Sequence, residues 1–234
     1  MLSLRDVDVS IEASRILRAV SLDAGAGELV CLVGRNGAGK TTTLRTVMGY
    51  LRPTAGTITL AGASIVGLPT HAIAARGIGY APEESAVFGD LTVAENIELA
   101  TWTRGGRPPA ERLARAYDVF PRLRAAAARG GTQLSGGERK MLSIARALAL
   151  DPVLLLLDEP FEGLSPAIIP QLAASIAAIA RLGPAIVLAE SNIHHVPAHT
   201  TRLYVIERGE IVFAGLPEDV RRRPELARIV GQAL

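Results

Sequence analysis

A single glycine-rich segment constrains this fold more than any other part of the chain. Residues 34–41 read GRNGAGKT and fit the pattern GxxxxGK[ST] at every position. An apolar run at 29–33 precedes the segment, and a helical pattern at 41–48 follows it. The sequence therefore predicts a tight turn between a buried strand and a helix. Such a turn aims backbone N–H groups inward at a helix N-terminus, which suits it to bind phosphate.

We name residues 34–42 the phosphate loop. Its candidate nucleotide-binding residues are Gly34, Arg35, Asn36, Gly37, Ala38, Gly39, Lys40, Thr41 and Thr42. Lys40 is expected to place a positive charge on the β- and γ-phosphates, and the Thr41 hydroxyl to ligate Mg²⁺. The alternative is a glycine turn that arises by chance, which the strand and helix patterns on either side disfavour.

Two carboxylates follow a second apolar run, in the sequence LLLLDE at 154–159. Asp158 suits a metal ion, which it would reach through water, and Glu159 suits polarising an attacking water. By itself, an apolar run before Asp-Glu is a common helix start. Its pairing with the phosphate loop favours the catalytic interpretation.

A second candidate phosphate site lies in the sequence LSGGE. Ser135, Gly136, Gly137 and Glu138 precede a helical pattern at 139–150, so their exposed N–H groups can bind an anion. One chain would then have two phosphate sites. This is explained if the second site binds the phosphate of a nucleotide held by a partner chain. The alternative is a capping box formed by Ser135 and Glu138, and both interpretations can hold together.

The apolar runs at 29–33, 153–157 and 185–189 are separated by helical patterns, which indicates a parallel sheet with helices on both faces. The pattern from 92 to 150 is helical and broken only by a loop at 105–109. It predicts a helical subdomain inserted into an α/β core.

The order of phosphate loop, LSGGE, Asp-Glu strand and Gly-Leu-Ser-Pro loop resembles the ATP-binding subunit of an ABC transporter, over essentially the whole chain. The resemblance implies an α/β fold with a P-loop NTPase core of ABC type. It adds an N-terminal antiparallel β subdomain and a helical subdomain at about 84–150, all within one domain spanning 1–234.

The resemblance also implies cofactors and partners. Two ATP molecules, with Mg²⁺, would lie at the interface of a head-to-tail dimer of this chain with itself or with a related ATP-binding subunit. Opening and closing of this dimer would drive two transmembrane permease subunits. An extracytoplasmic solute-binding protein would be an indirect partner of the ATP-binding chain. The chain would lie at the cytoplasmic face of the inner membrane.

Four details resemble the branched-chain amino-acid importers, and imply import of such amino acids, other small amino acids or related amides. They are Pro-Glu at 82–83, FPRL at 120–123, DEPFEGLSP at 158–166 and Glu-Ser-Asn at 190–192. The sequence LPTH at 68–71, together with Phe161, resembles the lipopolysaccharide-export ATPase instead.

Three further site residues follow from the resemblance. Glu83 would lie on the loop that senses Mg²⁺ and touches the membrane subunit; the alternative is a solvated loop acid. Ser191 stands where relatives use a histidine to hold the γ-phosphate and the attacking water. Ile11 aligns with an aromatic residue that stacks on adenine, and Val20 could add apolar contact with the base. We interpret His194 and His195, which lie three and four positions after Ser191, as surface or helix-start residues; the alternative is a catalytic role.

The composition of the chain argues against several classes of protein. The 25 cationic and 23 acidic residues nearly balance, so no nucleic-acid partner is expected. One cysteine excludes an intrachain disulfide and fits a reducing compartment. No apolar run reaches the length of a membrane span, and the N-terminus lacks signal-peptide features, so we expect a chain made in the cytoplasm.

Two rival classes share the same motifs. A soluble ABC ATPase that acts on ribosomes or DNA usually carries two cassettes or a long coiled coil, and this chain has neither. A nucleotide-binding module without turnover is disfavoured by Glu159.

Overall fold

Two β-sheets form the framework of the chain. The computed structural model describes residues 1–102 and 106–230. Its strands are β1 (Leu2–Ile11), β2 (Ser14–Ala24), β3 (Leu29–Val33), β4 (Ala55–Leu60), β5 (Ala63–Ser64), β6 (Ile78–Ala81), β7 (Leu154–Asp158), β8 (Ala185–Glu190), β9 (Arg202–Glu207) and β10 (Glu210–Gly215).

Helices connect these strands and cover the larger sheet. They are α1 (Lys40–Val47), α2 (Thr70–Ala75), α3 (Val93–Leu99), α4 (Pro109–Val119), α5 (Pro121–Ala125), α6 (Gly136–Ala149), α7 (Ile169–Arg181), α8 (Pro217–Arg221) and α9 (Pro224–Ile229), with 3₁₀ turns at Gly131–Gln133 and Ile193–His195. Within the described ranges, no helix is long and apolar enough to cross a membrane.

The larger sheet has the strand order β10-β9-β3-β8-β7-β6. β3, β6, β7, β8 and β9 run parallel, and β10 pairs antiparallel with β9. Every residue of β3, β7 and β8 is buried, which explains their continuous apolar sequences. Val33 pairs with Glu190 and Asp158 with Ala189, so the carboxyl ends of these strands meet at one edge. In parallel α/β sheets, ligands bind at this edge.

The smaller sheet is antiparallel, in the order β2-β1-β4-β5. Leu2, Leu4, Val7 and Val9 of β1 are buried, and they share a core with residues of β3, β7 and α1. This is the N-terminal antiparallel β subdomain that the sequence predicted.

Helices α3 to α6 follow β6 and form the predicted helical insertion. Their core also includes residues of the larger sheet, because α6 packs on β6 and β7 as well as on α3 and α4. The helical part is therefore joined to the sheet by one long helix. The predicted loop at 105–109 lies partly outside the described residues, and the bounds of the subdomain and of the single domain stay predictions.

The sequence patterns did not predict the short elements α2, β5 and β6. Helix α7 begins only at Ile169, because residues 165–168 form a turn in which Ile168 N–H donates to the Ser165 carbonyl (2.9 Å).

Candidate nucleotide-binding site

The phosphate loop joins β3 to the N-terminus of α1. Gly39 has φ = +113°, and a Cβ there would lie 2.8 Å from a methyl carbon of Leu17. A Cβ at Gly34 would overlap the backbone carbonyl of Ile206. Glycine is therefore required at both positions. Gly39 has a left-handed backbone conformation, and Gly34 is closely approached by the backbone of β9.

Lys40 is folded into the phosphate loop and is 4% exposed. Its Nζ donates to the carbonyl oxygens of Gly34 (2.7 Å) and Arg35 (3.0 Å) and lies 2.9 Å from Glu159 Oε1. The ammonium group is thus held inside the loop beside a carboxylate. A phosphate group that enters the loop would pair with the positive charge of the Lys40 ammonium group.

Asp158 receives hydrogen bonds on both carboxylate oxygens. Thr41 Oγ1 donates to Oδ1 (3.0 Å) and the Tyr80 hydroxyl donates to Oδ2 (2.9 Å). Burial raises the pKa of Asp158, and these two donors oppose that rise. Burial and the nearby Asp158 carboxylate raise the pKa of Tyr80, so its hydroxyl stays protonated and donates.

Thr41 and Asp158 together could hold a metal ion that arrives with a nucleotide. They offer a hydroxyl and a carboxylate oxygen 3.0 Å apart, and hard oxygen ligands suit Mg²⁺. In the described part of the chain, no group of three or more His, Cys, Asp or Glu residues is placed to hold a metal ion. The residues present therefore fit Mg²⁺ only if phosphate oxygens complete the ligand set, as Mg²⁺ sites in nucleotide enzymes usually require.

Glu159 lies directly beside the phosphate loop, with φ = +46°. Ser191 contacts both of its carboxylate oxygens: Oγ lies 2.6 Å from Oε1, and the backbone N–H donates to Oε2 (3.1 Å). Ser191 Oγ also lies 2.5 Å from Asn36 Oδ1, and its single hydrogen can serve only one of these acceptors at a time. Glu159 is thus held by Lys40 on one side and Ser191 on the other.

The other loop residues make supporting contacts. A guanidinium nitrogen of Arg35 donates to the Arg228 carbonyl in α9 (3.3 Å). The Ala38 carbonyl accepts from the Gly209 N–H (2.9 Å), which ties the loop to the β9–β10 turn. The Thr42 carbonyl accepts a hydroxyl hydrogen from the next turn of α1.

Buried Glu190 pairs with the partly buried His195, a contact that the sequence did not indicate. Glu190 is 1% exposed; its Oε1 accepts from the Phe161 N–H (3.2 Å), and its Oε2 lies 3.2 Å from His195 Nδ1. The hydrogen bond to Glu190 raises the pKa of His195. His195 is the last residue of the short 3₁₀ turn, and its ring is partly buried against Phe161, so it is neither a helix-start residue nor a free surface group. The pair joins β8 to the segment after Glu159.

Glu83 follows β6 and has an exposed side chain. Partial desolvation and the negative charges of Glu162 and Asp158 raise its pKa. Its backbone carbonyl accepts from Lys140 Nζ of α6 (2.6 Å), so the loop after β6 is tied to the long helix of the insertion. Glu83 therefore lies near the candidate metal residues without a hydrogen bond to them.

The segment 135–138 is separate from the phosphate loop, and no hydrogen bond joins the two described segments. Ser135 caps α6: Glu138 N–H donates to its Oγ (3.3 Å), and its own N–H donates to Glu138 Oε2 (2.8 Å). The capping box is present, while Gly136 and Gly137 leave their helix N-terminus open to an anion.

Ile11 ends β1 and is 43% exposed, so it is free to contact a ligand. Val20 is fully buried in the core between the sheets. The suggested contact between Val20 and the base was therefore wrong, because the side chain points into that core.

A wide groove runs beside β6, and we name it the aromatic groove. It has a volume of about 800 Å³, and its lining includes Tyr50, Tyr80, Phe88, Leu99 and Arg146. Tyr50 is 57% and Phe88 49% exposed.

The sequence profile of the ABC transporter family matches residues 17–162. This chain belongs to the ABC transporter family. Its α/β core, antiparallel N-terminal sheet and helical insertion are the fold of the ATP-binding subunits of that family, as predicted.

Known relatives cover nearly all of this ABC subunit. The lipopolysaccharide export system ATP-binding protein LptB of Haemophilus influenzae is 35% identical over 231 residues, 98% of this chain and 96% of the relative. The high-affinity branched-chain amino acid transport ATP-binding protein BraG of Pseudomonas aeruginosa is 38% identical over 212 residues, 91% of each chain.

A solved dimeric ATP-binding cassette in a post-hydrolysis state, bound to ADP and phosphate, superposes with a TM-score of 0.80. It is 25% identical, and the match covers 92% of this chain and 98% of that chain. The present chain is an ATP-binding ABC ATPase, and the ATP-binding domains of its family form dimers. Its relatives divide between export and import, so the branched-chain importer type is not specifically confirmed.

Proposed function

We propose that this ABC ATPase drives the import of branched-chain or other small amino acids, or related amides, across the inner membrane. The 38% identity with BraG carries the proposal. The Pro-Glu sequence at 82–83 and the Glu-Ser-Asn sequence at 190–192 support it, because they resemble that class of importer.

A second candidate is lipopolysaccharide export. LptB of Haemophilus influenzae matches a longer part of the chain at 35% identity, and the LPTH sequence at 68–71 with Phe161 resembles that system. In the structure, Pro69 precedes α2, and Phe161 packs beside His195.

For the chemical step, we propose that Glu159 polarises the attacking water. Ser191 supports this role by holding both carboxylate oxygens. Lys40 binds the β- and γ-phosphates once they enter the loop. Its ion pair with Glu159 is then replaced by an ion pair with phosphate. The carboxylate becomes free to face water only when nucleotide is bound.

We propose that Thr41 and Asp158 hold Mg²⁺ together with the phosphates, and that Glu83 approaches this site from the loop after β6. The bound ion would neutralise negative charge on the phosphates. The chain contributes the hydroxyl of Thr41 and a carboxylate that is held at both oxygens.

The anion site at Ser135–Gly137 is proposed to bind the γ-phosphate of a nucleotide held by a second subunit. Two observations support this role: Gly136 lies exposed at the N-terminus of α6, and no described hydrogen bond joins this segment to the phosphate loop. The second subunit is another copy of this chain or a related ATP-binding subunit.

We propose that the aromatic groove receives a membrane permease subunit, so that the chain lies peripherally on the cytoplasmic face of the inner membrane. Tyr50 and Phe88 expose large apolar surfaces there, and the loop carrying Glu83 borders the groove through Pro82 and Glu84. A partner in the groove would therefore touch the loop next to the proposed metal site.

The experiment is purification of the tagged chain from its native membranes, followed by mass spectrometry and transport assays. We expect two polytopic permeases and uptake of a branched-chain amino acid that stops in a Glu159→Gln strain. Capture of lipopolysaccharide-export membrane proteins would support the second candidate and reject import. Capture of ribosomes or DNA-bound complexes without membrane proteins would reject both.

A further inference from the structure

We propose that Tyr80 is a positioning residue that fixes the carboxylate of Asp158 for Mg²⁺ binding. The inference rests on the magnesium role proposed above for Asp158. Tyr80 lies on β6, at the edge of the sheet, and its hydroxyl donates to Asp158 Oδ2 at 2.9 Å. The sequence motifs do not include this residue.

Asp158 is held from two directions by two separate elements. Thr41 of α1 donates to Oδ1, and Tyr80 of β6 donates to Oδ2. A carboxylate held on one oxygen can still rotate, whereas donors on both oxygens fix its plane. Thr41 is itself a proposed metal ligand, so Tyr80 is the donor that has no other role at the ion. Hydrogen-bonding partners of this kind orient metal ligands and influence metal affinity.

The register of the sheet explains why a tyrosine is needed. Tyr80 pairs with Leu156, which lies two positions before Asp158 on the same face of β7. Two residues along a strand span roughly 6.5 Å, so only a long side chain can reach the carboxylate. Serine or threonine at position 80 would be too short, and phenylalanine would lack the donor.

A neighbouring ring provides a matched control. Tyr50 lies beside Tyr80 with ring centroids 6.2 Å apart, and both rings line the aromatic groove. Tyr80→Phe and Tyr50→Phe therefore remove the same atom from two adjacent rings, of which only one binds Asp158.

The test measures binding of a fluorescent ATP analogue to the full chain in a Glu159→Gln background, first with a chelator and then during a Mg²⁺ titration. We expect Tyr80→Phe to leave metal-free binding unchanged and to raise the half-saturating Mg²⁺ concentration about tenfold. Tyr50→Phe should leave both values at those of the background. Thermal melting of each variant shows that it is folded.

A double variant tests whether Tyr80 acts through Asp158. If it does, Tyr80→Phe adds no further loss to Asp158→Asn. An unchanged Mg²⁺ requirement in Tyr80→Phe, an equal rise in Tyr50→Phe, or a full additional loss in the double variant would overturn the proposal. If binding of the ATP analogue to the Glu159→Gln chain does not depend on Mg²⁺, the magnesium role proposed for Asp158 is wrong. The inference about Tyr80 is then wrong as well.

Discussion

At the scale of single residues, Ser191 determines how the proposed catalytic carboxylate is held. Its hydroxyl and its backbone N–H contact both oxygens of Glu159. Serine is nevertheless short and neutral, and its hydroxyl is shared with Asn36. It therefore orients Glu159 but has neither the reach nor the charge of a histidine for a γ-phosphate.

We predict that Ser191→His raises the ATPase rate of a homodimer of this chain several-fold, since an imidazole adds a group that reaches phosphate and water. Steady-state phosphate release at saturating ATP measures it. Ser64→His, on the exposed strand β5, is the control for a histidine placed elsewhere. A rate that stays equal or falls in Ser191→His would show that this position does not limit turnover.

At the scale of elements, we propose that the exposed end of β1 contacts the base of the nucleotide. Ile11 is aliphatic, and no aromatic residue precedes Tyr50 in the sequence. Stacking of a base on an aromatic ring is worth roughly 1–3 kcal/mol in nucleic-acid binders. Because the phosphate loop is expected to bind only the triphosphate, affinity should come mainly from that part of the nucleotide.

We predict modest nucleotide affinity with only a weak preference for ATP over GTP, and a gain for both nucleotides in Ile11→Tyr. Titration calorimetry with each nucleotide measures this. Ile16→Tyr, on the neighbouring strand β2, is the matched control. A strong ATP preference that Ile11→Tyr does not increase would mean that another group recognises the base.

A second element-scale feature joins the end of β8 to the 3₁₀ turn after it. Protonated His195 donates a hydrogen bond from Nδ1 to Glu190 Oε2, which raises its folded-state pKa above the ordinary value of 6.5. Protonated His195 is thus bound more tightly in the folded state than in the unfolded state. The stabilisation is fully present below about pH 6.5 and is lost as pH rises through the raised folded pKa.

We predict that His195→Gln lowers the free energy of unfolding by about 1 kcal/mol at acidic pH and by less at alkaline pH. Denaturant melts of both proteins on either side of neutrality measure the difference. His71→Gln, in the short helix α2, is the control. A difference that grows as pH rises would contradict the proposed charge pairing.

At the scale of the whole molecule, we propose that each chain contributes one half to each of two nucleotide sites. The phosphate loop lies at the carboxyl edge of the sheet, and the anion site lies at the N-terminus of α6. A head-to-tail dimer would complete both sites, and the solved dimeric cassette of the same fold shows that such domains associate.

We predict that Glu159→Gln keeps ATP binding, lowers hydrolysis by roughly 10²-fold or more, and accumulates as an ATP-bound dimer, because an amide cannot accept a proton from water. Light scattering with and without ATP, together with phosphate release, measures both effects. Glu162→Gln changes an exposed acid three residues later and serves as the control. Turnover of Glu159→Gln at the parental rate would remove Glu159 from the chemical step.

The sequence predicted the fold well where elements have strong local patterns. The apolar runs became β3, β7 and β8, and the antiparallel sheet and helical insertion formed as expected. β6 was missed because Ile78–Ala81 is short and contains Gly79. That glycine is required by packing, since a Cβ would lie 2.6 Å from the Ala147 carbonyl of α6.

The sequence by itself determined which groups the candidate site contains. GRNGAGKT and LLLLDE have local chemistry that specifies a glycine turn and a strand ending in carboxylates. Only the tertiary structure decided which groups touch: Tyr80 reaches Asp158, and His195 pairs with Glu190. These contacts depend on strand register and on the packing of α6, where residues far apart in the chain fix each other's positions, and local patterns carry no information about such distances.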